Sequence, residues 1–138
     1  MKQGVATSIR NLIETGGHHL LGHDGEDILV FGHPSALHFL STTPLIEGDG
    51  TFTCLVSPYS QLDMFHALVD NGVIFPVLYC LVAGKNEAIY RRLLALVERI
   101  ARANKTTVFN RPVRLLVDFE LAFINAVREC AVGSRVSC

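Results

Sequence analysis

A chain of 138 residues is the length of one domain, and its 49% hydrophobic against 18% charged residues exclude a disordered polymer. The longest apolar stretch, Val73 to Ala83, is 11 residues and contains Pro76, against the roughly 20 apolar residues of a membrane-spanning helix. The net charge of −1 rules out a protein that is basic throughout.

The opening segment, MKQGVATSIRNLIETGG, carries no apolar run of the kind a secretory signal requires, so secretion is not expected. The four cysteines, Cys54, Cys80, Cys130 and Cys138, form no CxxC pair. They read as buried thiols in a reducing compartment rather than as a disulfide framework or zinc knuckle.

In chain order, an amphipathic start (Ile9, Leu12, Ile13) and a Gly16-Gly17 break precede a hairpin whose turn is His23-Asp24-Gly25-Glu26. Pro34 then opens one or two helical turns that end before Pro44. From Leu45 the pattern becomes that of strands: LIEGDGTFTCLV, LDMFHALVD and VIFPVLYCLVA, separated by Ser57-Pro58-Tyr59-Ser60 and Asn71-Gly72, predict an antiparallel meander. Because Pro76 lacks a donor, the third of these strands is expected at a sheet edge. A helix is predicted from Asn86 to Ala103, with Ile89, Leu93, Val97 and Ile100 on one face. After Pro112 come a fourth strand, VRLLVD, a second long helix, FELAFINAVREC, and the beginning of a fifth strand, RVSC.

A helical crossover returns the fourth strand parallel to a neighbour. With the first strand as that neighbour, the fold class is α/β with a mixed sheet of order 3-2-1-4-5 and helices on its faces. Asp49 in the first strand and Asp118 at the end of the fourth then fall on adjacent strands, about 4.8 Å apart. Carboxylates flanked by apolar or small residues are costly to bury unless paired, hydrogen-bonded or metal-bound, and this pair is placed to share a metal. The plainer reading makes Asp118 a helix N-cap and Asp49 a turn residue.

Charge is distributed unevenly. Residues 1–50 hold Lys2 and Arg10 against Glu14, Asp24, Glu26, Asp27, Glu47 and Asp49. Residues 85–114 hold eight cations, among them Arg91, Arg92, Arg99, Arg102 and Lys105, against Glu87 and Glu98. Cations that grip a phosphate backbone beside carboxylates that grip metal suit phosphodiester chemistry, whereas the plainer reading is a solvated helix face.

GDGTFTC, SPYSQLDMFHALVDNGVIFPVLYCLVAGKNEAIYRRLLALV and VRLLVDFELAFINAV together resemble the core of the Mutator-like element (MULE) transposase domain, a ribonuclease H-like fold, over about Ile46 to Cys138. The resemblance implies a DDE-type transposase in which Asp49 and Asp118 are the first two catalytic acids and hold two divalent cations, magnesium or manganese. Glu120 is read as a first-turn helix acid, not a ligand. The resemblance also implies DNA at transposon ends as partner, Arg91, Arg92, Arg99, Arg102 and Lys105 near it, a nuclear location and possible homo-oligomers. In that family a Cys-x-x-His-like element follows the fifth strand, and Cys138 matches its first position. A third acid, a glutamate, follows on a later helix. On this reading residues 1–44 are a lead-in, residues 45–138 are a partial core missing the final helix, and the chain by itself is inactive. The alternative is a relic or domesticated DNA- or protein-binding module without catalysis.

His19 and His23 have the i, i+4 spacing of a helical zinc pair, but Gly22 and the Asp24-Gly25 turn argue against a helix there. His66, within a strand, reads as a partly buried side chain rather than a base. No GxGxxG, GxxxxGK[ST], HExxH or GxSxG occurs, leaving nucleotide-binding, metalloprotease and serine-hydrolase readings without support.

Overall fold

A computed structural model of the chain describes residues 19–25, 27–33, 35–53, 59–68, 72–117, 121–130 and 135–137. The strands are β1 (His19–Asp24), β2 (Ile28–Gly32), β3 (Leu45–Thr53), β4 (Gln61–Leu68), β5 (Ile74–Val82), β6 (Arg114–Val117) and β7 (Arg135–Ser137). The helices are α1 (Ala36–Thr42), α2 (Glu87–Ala103) and α3 (Leu121–Cys130). The amphipathic start at Ile9, Leu12 and Ile13 lies outside the described residues.

The seven strands among the described residues form one mixed sheet of order β1-β2-β5-β4-β3-β6-β7, so the fold is α/β. Hairpin pairings are antiparallel, while β3–β6 and β6–β7 are parallel. The strands from Leu45 onward stand in the sequence 3-2-1-4-5 within this longer sheet, but the sheet as a whole differs from the expected one. The N-terminal hairpin extends the sheet: β2 pairs with β5 from Ile28↔Val82 to Gly32↔Leu78.

The strand carrying Pro76 is therefore interior, not at an edge. Proline is accommodated because the β2 ladder stops at Leu78, so the missing N–H removes no bond from it. On the other side, Pro76 sits opposite His66 at a register shift between Phe65 and His66.

Local chemistry sets the element ends. Asp24-Gly25 turns the hairpin with Gly25 at φ 60°, a region glycine enters without a Cβ penalty. The Asn86 side chain caps α2 by accepting from the Ile89 N–H at 2.9 Å. At its other end Lys105 takes φ 61°, and the Glu98 carboxylate accepts from the Val108 and Phe109 N–H groups (3.1 and 2.9 Å) and the Thr107 hydroxyl (2.5 Å). This holds the loop that leads to β6. Arg111 Nη2 donates to the Leu40 and Thr43 carbonyls (2.5 and 2.7 Å), satisfying the end of α1.

The main core lies on one face of the sheet. Ile28, Val30, Ile46, Phe65, Ala67, Leu78, Cys80 and Val82 meet Leu37 and Leu40 of α1, Tyr90, Leu93, Leu94 and Val97 of α2, and Phe123, Ile124 and Val127 of α3. Phe123 stacks edge-on against Tyr90 at 5.0 Å. Leu29, Phe31, Tyr59 and Leu81 form a smaller cluster on the opposite face. Gly22 lets α2 cross β1 closely, since a Cβ there would lie 2.6 Å from Ile100 Cδ1. No described helix is long and apolar enough to cross a membrane.

Candidate functional site

Side chains alternate across a strand, and β3 shows the alternation directly. Ile46 and Gly48 are buried on the helix side, where Gly48 faces Phe123 and Val117, while Glu47 and Asp49 are half-buried on the other face. Asp49 stands opposite Met64 of β4, and Glu47 opposite His66. A register shift follows Asp49, so two residues of β3 oppose one of β4 before Phe52↔Leu62. Such bulges re-aim neighbouring side chains.

On its other side β3 pairs in parallel with β6 from Leu45↔Arg114 to Gly48↔Val117. The residues next in sequence after that last pair are Asp49 and Asp118. Asp118, Glu120 and Cys138 lie outside the described residues. Among the described residues no group of three or more His, Cys, Asp or Glu side chains comes together to hold a metal. The donor type at Asp49 is a hard carboxylate oxygen, which fits magnesium or manganese rather than a thiophilic ion.

The candidate DNA contacts lie elsewhere. Arg91, Arg92, Arg99, Arg102 and Lys105 are exposed on or just beyond α2, on the side of the sheet away from Asp49. Three of them face acids. Arg91 pairs with Glu87, Arg102 Nε lies 3.4 Å from Glu98 Oε2, and Arg92 forks onto Asp24 and Asp27 at 2.8 and 3.1 Å. The guanidinium beside it holds the Asp24 carboxyl below its usual value. His19 and His23 lie on β1, a strand. His66 is half-buried, with an enclosed Nδ1 that makes no hydrogen bond.

Sequence reasoning missed a buried polar cluster under the centre of the sheet. Gln61 Nε2 donates to Asp63 Oδ1 and to Tyr90 Oη, both at 2.7 Å, and all three residues are at most 2% exposed. Gln61 Oε1 is left without a hydrogen bond. Burial, and then the Asp63 charge paired across the strands, push the Cys80 thiol well up. The signal was present in QLDMFHAL, where the alternation puts Gln61 and Asp63 on the same face as Phe65 and Ala67.

Comparison with protein-family models gave no match. Neither curated proteins nor solved structures gave one.

Proposed function

We propose that this chain is the ribonuclease H-like core of a MULE-type DDE transposase, acting on DNA strands by metal-assisted phosphodiester chemistry, and so working in the nucleus. The observation that carries the reading is the β3–β6 parallel ladder, whose last pair, Gly48↔Val117, is one residue short of both acids. A parallel ladder that ends one residue before each of two carboxylates in the sequence supports a shared cation.

Asp49 and Asp118 would hold the magnesium or manganese, and the ion when bound would supply Lewis-acid stabilisation of the developing oxyanions. The chain's own contribution is orientation. Asp49 rises from the middle of a sheet fixed on both sides by ladders, so its carboxylate is held by a rigid element rather than by a loop.

Titration of the chain with Mn²⁺, followed by the loss of free-ion paramagnetic signal, tests this. Binding is expected in the unaltered chain and is lost in both Asp49→Asn and Asp118→Asn. Equal binding by the unaltered chain and both variants would remove the site. Salt-dependent retention of DNA by a chain that takes up no Mn²⁺ would favour the binding-module alternative instead.

A further inference from the structure

The acid-rich first third of the chain and its base-rich stretch meet in the fold, at the crossing of α2 over the β1–β2 hairpin. There a single guanidinium is surrounded by oxygens of the hairpin turn. Arg92 Nε donates to Asp24 Oδ2 at 2.8 Å and Nη1 to Asp27 Oδ2 at 3.1 Å, while the Asp24 carbonyl lies 3.5 Å from Nη2. Two turns further along α2, Arg99 Nη2 reaches towards the His23 carbonyl at 3.5 Å. The close approach that allows this is made at Gly22.

A phosphate group takes such N–H donors through paired oxygens, so the two carboxylates occupy the donors that a phosphate would use. We propose that the β1–β2 turn is an internal phosphate mimic, masking Arg92 from the phosphate backbone of DNA, so that the α2 surface binds DNA fully only when the turn is displaced. This rests on the DNA-directed reading above and names a regulation of it. The contact is suited to exchange rather than to permanent structure. The side chains of Arg92, Asp24 and Asp27 are 43%, 34% and 51% exposed, and exposed ion pairs are weakly held and screened by salt.

The experiment is fluorescence anisotropy of a labelled random-sequence DNA duplex at several salt concentrations. Asp24→Asn/Asp27→Asn is expected to bind roughly 5-fold tighter at low salt, with a log–log salt dependence steeper by about 0.9, the signature of one more phosphate contact. Arg92→Gln in the unaltered chain is expected to leave affinity where it was. Added to the double variant, the same change returns affinity to the starting value.

A gain that survives Arg92→Gln is a general charge effect and overturns the proposal, as does no gain, or no DNA binding by any variant. Should circular dichroism show the double variant unfolded, Asp27→Asn alone, which keeps the 2.8 Å Asp24 contact, carries the same comparison with a smaller gain. Mn²⁺ binding at Asp49 is read separately, so failure of the mask and failure of the metal site are distinguishable.

Discussion

Arg92 and Asp24 are 68 residues apart in the chain, and their side chains meet at 2.8 Å, tying α2 to the turn of the N-terminal hairpin. The hydrogen bond from Arg92 is the main reason the Asp24 carboxyl titrates below its ordinary 3.8, and Asp24 in turn raises the guanidinium further. A carboxyl lowered on folding stabilises the protein fully above its unfolded value, and that contribution is lost as pH falls through the lower folded one. Urea unfolding of the unaltered chain and Asp24→Asn should therefore differ at pH 6 and converge at strongly acidic pH. Because both side chains are well exposed, the difference at pH 6 is expected to be no more than about 1 kcal/mol. A difference that is constant across the pH range would mean that the ion pair is not its source.

A second contact decides how β6 is delivered to its place beside β3. Glu98 Oε1 accepts from the N–H groups of Val108 and Phe109, and Oε2 from the Thr107 hydroxyl. These donors belong to the loop between α2 and β6. Glu98→Ala removes all three bonds and is expected to cost about 2 to 3 kcal/mol. Glu98→Gln keeps one acceptor oxygen for the two N–H groups and should cost about 1 kcal/mol. Denaturant midpoints at unchanged slope measure both. Equal losses in the two variants would show that the backbone donors contribute nothing.

Both expectations concern contacts that the sequence hid, whereas much of the framework was open to reading. The α2 cap at Asn86, the hairpin turn at Asp24-Gly25 and the parallel return of β6 beside β3 follow from local rules: a capping side chain, a positive-φ glycine and the handedness of crossovers. What failed was the inference from Pro76 to an edge. A proline forbids a ladder bond only where a neighbour is present to make one, and the end of β2 at Gly32 was not visible from the residues of β5. The partners of the α2 cations were hidden for a related reason. A sequence shows the sign of each charge along the chain but not its partner, and Asp24 and Asp27 come from a different third of it. At the candidate site, Asp49 was legible as a strand carboxylate, while the Gln61–Asp63–Tyr90 cluster behind the same sheet depends on Tyr90, which α2 brings from 29 residues away.

Cys80 offers a direct readout of that buried region. It is fully enclosed, and desolvation together with the neighbouring Asp63 pushes its thiol well above the ordinary range, so the nucleophilic thiolate is suppressed. Iodoacetamide labelling at pH 8, mapped by peptide mass spectrometry, should leave Cys80 unmodified in the folded protein and label it in concentrated urea. Rapid labelling under native conditions would mean that the sheet opens at β5.

The buried cluster itself makes a graded expectation. Gln61 Nε2 has two hydrogens, one directed to the Asp63 carboxyl and one to the Tyr90 hydroxyl. Tyr90→Phe removes one neutral acceptor and leaves a buried N–H unmade, at about 1 to 2 kcal/mol. Gln61→Met takes a donor from a carboxyl that is 2% exposed, and bonds to charged groups are the stronger ones, so it should cost more, about 2 to 3 kcal/mol. Because both variants break the same Gln61–Tyr90 bond, the double variant should lose less than the sum of the two. Strict additivity in urea unfolding, or a larger loss for Tyr90→Phe than for Gln61→Met, would show that Gln61 does not bridge the two groups and that Asp63 relies on other partners.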